Sequence, residues 1–402
     1  MRRIAALDGI RGVAIAAILT VHSSEFLVVG IKHKPLYYAL YRLMATGWLG
    51  VDIFFVLSGF LITTILLEDN DRADFWSRFY LHRSLRILPA FAVVFGLTVA
   101  AIHFLVPETH LTAAVILPAL FFTENWTVLN GTSMPMLPHL WSLAVEEQFY
   151  LVWPQIVRRL SSATVLKVSL GLVVASELLR VILALNHVGV WIIYAITPTR
   201  IDGLALGAAL AAAVTLPATH QFLAAYWRRI ASASAFFLIA SFVILHRSLL
   251  PDNVLSQILA IPAAILLTAM LIYGSVASTL PAVLQRTLAN PVLAYLGRRS
   301  YSLYLIHLPI LFWAWQNRVH GRLSYLPAGL RVNAMLIVIS IAICLALTEI
   351  SWRLVESPAQ SLRRVLEQER VTEVSVSNPW SNPATSSGAA QPIHSALWMK
   401  HS

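Results

Sequence analysis

Charge is what this 402-residue chain has least of. Asp, Glu, Lys and Arg together make up 12% of it, against 58% hydrophobic residues. A soluble domain carries about 25% charged residues, so this scarcity excludes an ordinary soluble protein and points to a polytopic membrane protein. Cysteine is almost absent. The single Cys344 lies in an apolar stretch, which excludes a disulfide framework and a thiolate metal site. Also missing are a serine nucleophile elbow, a phosphate-binding P-loop, a zinc-ligand run and a dinucleotide fingerprint, so neither a metal nor a bound cofactor is expected. No segment repeats with a clear period.

What is present is a series of apolar windows, at roughly 9–30, 47–67, 86–106, 112–124, 140–157, 163–185, 197–215, 231–247, 254–274, 300–316 and 331–354. The first is long and has no small-residue cleavage site, so it reads as a retained span and not a signal peptide. The fourth is short and contains Pro118, which predicts a re-entrant or interfacial helix.

The net charge of +10 comes from arginines placed between the windows, as the positive-inside rule predicts, and not from a nucleic-acid surface. With the N-terminus inside, ten spans put Arg2/Arg3, Arg83/Arg86, Arg158/Arg159, Arg228/Arg229, Arg298/Arg299 and Arg363/Arg364 on the cytoplasmic side. Counting the fourth window would move the later pairs outside. Lys32, Lys34, Arg318 and Arg322 stay in outer loops. The expectation is an all-α membrane protein of about ten transmembrane helices plus one short helix, with both termini inside. Its membrane domain spans 1–360, and the Ser/Pro/Ala/Asn-rich stretch 361–402 is a largely disordered cytoplasmic tail.

Arg11 and His22 share the first span. Eleven residues are about three helical turns, so both side chains lie on one face, roughly 16 Å apart. Ionisable groups at that depth are costly and face one another or a water-filled cavity. His22 reads as a general base or acyl-accepting imidazole, and Arg11 as a holder of an anionic substrate; the plain alternative is interhelical hydrogen bonding and snorkelling. Glu25 lies one turn beyond His22. Asp52, Glu146 and Glu147, and Arg200 with Asp202, fall at a similar depth on other spans. The adjacent Glu146 and Glu147 point about 100° apart, so one of them at most faces His22 easily. Asp52 has a structural ion pair with Arg200 as its alternative reading.

Arg83 and Arg86, in HRSLRILP, are three apart on one helical face and read as an anion clamp at the inner edge, with ordinary positive-inside placement as the plain alternative. Tyr301, Tyr304 and His307 follow an i, i+3, i+6 pattern that reads first as a packing face. His307 sits nearer the inner side, where it could line a tunnel. Glu356, three residues after Arg353, reads as a local ion pair.

Together these segments resemble the acyltransferase-3 family of integral membrane O-acyltransferases. The pieces are LDGIRGVAI with His22, GWLGVDIFFVLSGFLI, FYLHRSLRILPAF, HLWSLAVEEQFYLVWP, RIDGLALGA, GRRSYSLYLIHLPI and the terminal ESP, in order from about residue 7 to 358. Each is weak alone; seven in register are specific. Family members often carry two adjacent basic residues where this chain has His82 and Arg83.

The resemblance implies a multi-pass enzyme of a bacterial cytoplasmic membrane that moves an acyl group, commonly acetyl, from coenzyme A to a hydroxyl of a carbohydrate-containing acceptor. It implies acyl-CoA as co-substrate, with the donor phosphates on Arg83 and Arg86 and Arg11 contributing. His22 is then base or acyl carrier, with Glu25 or Glu146 as its carboxylate partner. Asp52, Glu147, Arg200, Asp202, Tyr304 and His307 form an acceptor or structural polar cluster. Some members add an extracytoplasmic esterase-like domain. None is read here, so the membrane domain is expected to finish the transfer unaided or with a separate partner. The competing class is a transporter or flippase for a glycan or anionic solute, whose intramembrane charges would bind the solute or relay protons.

Overall fold

The computed structural model describes residues 4–27, 35–106, 111–245, 249–319, 321, 323–326 and 329–362. Long apolar runs have no water to satisfy their amides, so their backbone groups must pair within the segment. Among the described residues the regular structure is accordingly all helical.

The chain begins with α1 (Ala5–Leu27), α2 (Pro35–Ala45), α3 (Gly50–Glu68) and the 31-residue α4 (Phe75–Leu105). A short α5 (Ala113–Leu120) and a 3-10 segment, Glu124–Asn130, lead into α6 (Leu140–Arg159) and α7 (Ser162–Leu185). Two short helices, α8 (Val190–Ala195) and α9 (Thr197–Arg200), precede α10 (Asp202–Thr215), α11 (Pro217–Ile244) and α12 (Val254–Val276). Then come α13 (Ala282–Leu288), α14 (Pro291–Val319) and α15 (Leu330–Ser351), continued by a π-helical turn, Trp352–Glu356. Side chains start some of these helices: the Ser161 hydroxyl accepts the Thr164 N–H at α7, and Asn253 accepts the Leu255 N–H at α12.

Seven stretches among the described residues are long and apolar enough to cross a membrane. The chain is therefore a multi-pass integral membrane protein. Its lipid-facing surface is apolar, as at Leu97, Phe104 and Phe236. Three further helices pack among the seven without meeting that standard: α10 has 14 residues, α6 carries Glu146, Glu147, Arg158 and Arg159, and α14 is less apolar, with polar residues such as Ser300, Ser302, His307 and Gln316. The eight residues of α5 rise only about 12 Å, too little to span, as its short window predicts. Of the expected tail, residues 363–402 lie outside the described residues.

Two glycine contacts set the helix pairing that matters most. A Cβ on Gly297 would overlap the Asp8 carbonyl and press on the Gly12 amide, so α1 and α14 meet at closest approach there. Ten residues beyond Gly12 and Gly297 on their helices, His22 and His307 are in contact. The two helices thus run parallel and in register over about 15 Å. A second close approach, Gly207 against the Val56 carbonyl, joins α10 to α3.

The C-terminal turn departs from expectation. Arg353 pairs with Glu349 at 2.8 Å and not with Glu356. The π-helical register of Trp352–Glu356 rotates Glu356 inward, where it is buried and accepts the Ser302 hydroxyl.

Candidate active site

Two cavities lie within the bundle. The first, about 110 Å³, is lined by Arg11 of α1, Arg83 and Arg86 of α4, Glu146 of α6 and Tyr301 of α14. Three arginines and one acid leave it with a cationic interior, suited to phosphates or carboxylates. Arg83 is held by the Tyr150 ring, with its guanidinium carbon 3.6 Å from the ring centroid. Arg11 stands 3.6 Å from Asp8, one turn back on its own helix. The Tyr301 hydroxyl donates to the Ile87 carbonyl at 2.9 Å, tying α14 to α4 beside the arginines.

The second cavity, about 970 Å³, is lined by His22, Glu124, His139, Trp141 and Tyr194 among others. At its floor His22 Nδ1 lies 2.9 Å from His307 Nε2. His307 Nδ1 lies 2.7 Å from the Tyr304 carbonyl and 3.2 Å from that of Leu303, so this nitrogen carries the proton. Its Nε2 is then an acceptor, and His22 must donate from Nδ1. The lone pair of His22 is thereby placed on Nε2. A third imidazole, His139, packs 5.1 Å from the His307 ring, buried, with neither ring nitrogen hydrogen-bonded.

Val51 and Tyr304 line both cavities and form the partition between them. The Tyr304 hydroxyl is fixed from both sides: it donates to the His139 carbonyl at 2.8 Å and lies 2.6 Å from Ser142 Oγ. An anionic carrier held by the arginines could present a group through this partition to His22.

The sequence-predicted residues thus divide into three sets. Arg11, Arg83, Arg86 and Glu146 come together at the cationic cavity. His22, His307 and Tyr304 come together at the partition. Asp52, Arg200 and Asp202 line neither cavity; they form fully buried ion pairs, Asp52 with Arg200 at 2.8 Å and Asp202 with Arg180 at 2.6 Å. The Asp52–Arg200 pair is the structural alternative for these residues. Glu147 also lines neither cavity, and its Oε1 is buried without a partner. The Glu25 side chain lies outside the described residues.

Two expectations are corrected. His307 sits level with His22 and not nearer the arginine end, because α14 starts at Pro291: the polar GRRSY segment is already helical. Glu146 does not accompany His22. Depth along a helix does not fix azimuth, and this side chain turns toward the arginines while His307 partners His22.

Sequence reasoning missed His139, Arg180 and Glu124. His139 had a visible signal, a histidine heading the HLWSLAVEEQ block. Glu124 had none beyond being a lone acid after a short apolar helix. Burial drives its carboxyl up to about 7, although the Met134 N–H opposes this at 2.6 Å. Among the described residues no cluster could hold a metal ion.

Fold and site together define a multi-pass membrane protein with one cavity lined by three arginines and a second lined by two histidines. The acyltransferase domain family matches residues 4–349 of the chain, which belongs to that family. Among similar proteins, SACOL0978 of Staphylococcus aureus (strain COL), named provisionally as an O-acetyltransferase, is 30% identical over 383 residues. The O-acetyltransferase OatA of Staphylococcus aureus (strain NCTC 8325 / PS 47) is 26% identical over 385 residues. Each alignment covers 89% of this chain, and the chain spans 57% of the length of each relative. No solved structure matches the chain.

Proposed function

We propose that this chain is a membrane O-acetyltransferase that takes its acetyl group from acetyl-CoA and gives it to a hydroxyl of a carbohydrate-containing acceptor. The observation that carries the reading is the partition at Tyr304, with three arginines lining one side and His22 the other. In this reading the ten long helices all span a bacterial cytoplasmic membrane, and the arginine end faces the cytoplasm, where acetyl-CoA is made.

The donor's phosphates dock on Arg83, Arg86 and Arg11, whose guanidinium groups suit bidentate contacts. The pantetheine arm extends past Ser142 and places the thioester carbonyl at Tyr304. The acceptor hydroxyl approaches His22 Nε2 from the second cavity. That nitrogen takes the hydroxyl proton as the oxygen attacks the thioester carbon. The C–S bond then breaks, and the proton passes to the departing thiolate, giving the acetyl ester and free CoA. His307 holds the tautomer that leaves Nε2 basic, and it shares the positive charge that His22 acquires.

The test is the melting temperature of the purified protein in detergent with acetyl-CoA, free CoA, other short acyl-CoAs and ATP. A ligand that binds only the folded state raises it by mass action. The reading expects a rise with acetyl-CoA but not with ATP, lost in Arg83→Ala/Arg86→Ala and kept in His22→Ala. No response to any CoA species from a folded sample would overturn it in favour of a transporter.

A further inference from the structure

We infer that the second cavity selects an uncharged acceptor and that Glu124 anchors it, Oε2 accepting a hydrogen bond from an acceptor hydroxyl. The inference rests on the acyltransferase reading and adds which residue binds the acceptor and which acceptors are refused.

Of the two acids at this cavity, Glu124 is the buried one. It is 3% exposed and lines the wall. Its Oε1 accepts the Met134 N–H at 2.6 Å, and the neighbouring Ser133 side chain also favours the ionised carboxyl, yet Oε2 is buried without a hydrogen-bond partner. A buried acceptor left unpaired costs about 1–3 kcal/mol, so such a group is retained where something else uses it. The surrounding loop is built to hold it still. The Thr127 hydroxyl donates to the Glu124 carbonyl at 2.7 Å, Met134 and Leu137 are buried as anchors, and Met136 adopts a left-handed φ of 62° that few non-glycine residues tolerate.

Charge separates the two cavities. The first is lined by three arginines. Among the described residues the second has no lysine or arginine in its wall, but it does have Glu124 and Asp252. A phosphate or carboxylate entering there would face two acids with no counter-charge. An apolar alcohol would escape that penalty but leave Oε2 unpaired, and sites built to bond a hydroxyl reject analogues that lack it. A sugar without an acidic group satisfies both conditions. Its apolar ring face also finds partners in Trp191, half exposed at the mouth, and in Trp141 and Tyr194. Those last two rings are stiffened from behind by Arg200, whose guanidinium carbon lies 5.5 and 5.0 Å from their centroids.

The experiment follows CoA release from acetyl-CoA by the full chain in detergent, at about pH 8, above the Glu124 value of about 7. Three probes are compared: methyl β-D-glucopyranoside, methyl β-D-glucuronide, which carries a carboxylate on the same ring, and cyclohexylmethanol, which has one hydroxyl and no others. The glucoside should accelerate release, with kcat/KM at least ~10-fold above either alternative, the scale of one hydrogen bond to a charged group. Glu124→Gln should raise the KM for the glucoside by ~10-fold while kcat falls far less. Should that variant melt early, Trp191→Ala, at a half-exposed position, should raise the same KM. Equal use of the glucuronide or the alcohol, no acceleration by the glucoside, or an unchanged KM in a folded variant would each overturn the inference. A parent protein that neither binds acetyl-CoA nor releases CoA from it would instead sink the acyltransferase reading itself.

Discussion

His22 Nδ1 and His307 Nε2 lie 2.9 Å apart, and His307 is anchored through its other nitrogen to the Tyr304 carbonyl. This chain of bonds leaves His22 only one basic nitrogen. Removing the chain's middle member frees the tautomer without removing the base. His307→Leu should therefore lower kcat for acetyl transfer by ~10–100-fold, as the loss of an orienting partner does elsewhere. His22→Ala should cost ~10²–10⁴-fold. Neither should change the melting-temperature rise with acetyl-CoA. Steady-state kinetics with thermal shifts check both, and an undiminished kcat in His307→Leu would remove the orienting role.

The position of the His22 lone pair also bears on the route of transfer. If Nε2 serves as a base, the acetyl group passes directly to the acceptor. If Nε2 is itself acetylated, the half-reaction runs without acceptor, and labelled CoA exchanges into acetyl-CoA. The exposure of His22 to the second cavity favours the base, so no exchange is expected above the rate of His22→Ala. Exchange that depends on His22 would establish the carrier route.

The close approach at Gly297 gives a structural prediction. Any Cβ there meets the Asp8 carbonyl, which is backbone and cannot move aside as a side chain would. Gly297→Val should separate α1 from α14 and with it His22 from His307. The expected result is a loss of ~1–3 kcal/mol or more of stability, the usual cost of overpacking. Activity should fall beyond what the lost stability explains. A variant as stable and active as the parent would show that the histidine contact does not depend on this crossing.

The helices themselves are legible in the sequence. Among the described residues each of the eleven apolar windows overlaps helical structure, because the pattern follows from the solvent and not from tertiary detail. Arg11, Arg83 and Arg86 can be paired with one another, since charge inside a bundle has few places to go. Azimuth and register are less legible. Hydropathy puts the start of α14 about two and a half turns too late, because GRRSY is polar, and so it misplaces His307. Equal depth groups Glu146 with His22, although helical rotation points it to the arginines. Glu124 is invisible: its environment is made by a loop whose packing no periodicity encodes.

Asp52 and Arg200 are both fully buried and 2.8 Å apart, and they line neither cavity. Removing one charge of such a pair leaves the other stranded, so Asp52→Ala should destabilise the protein by ~3–5 kcal/mol. Replacing both, as Asp52→Leu with Arg200→Met, should recover much of that loss, since apolar substitutes escape the desolvation cost. Melting temperatures of the single and double variants decide it. Recovery of stability without activity would show that the aromatic wall at Trp141 and Tyr194 needs the Arg200 cation behind it.

The Glu124 carboxyl supplies the last prediction. Its folded value is raised to about 7, and its ordinary value is 4.5. Below 4.5 the carboxyl is protonated in both states and costs nothing. As pH rises past that point the unfolded chain ionises first, which draws the equilibrium toward unfolding until the folded carboxyl also ionises near 7. Its contribution to stability is thus fully present in acid and lost between about 4.5 and 7. The loss is about 2 kcal/mol, allowing for the part of the carboxyl that faces the cavity. Glu124→Gln cannot ionise, so its melting temperature, relative to the parent's, should rise across that window and level off above it. A constant difference between the two proteins from acid to neutral pH would show that the carboxyl is solvated, and would remove the argument that Oε2 awaits a partner.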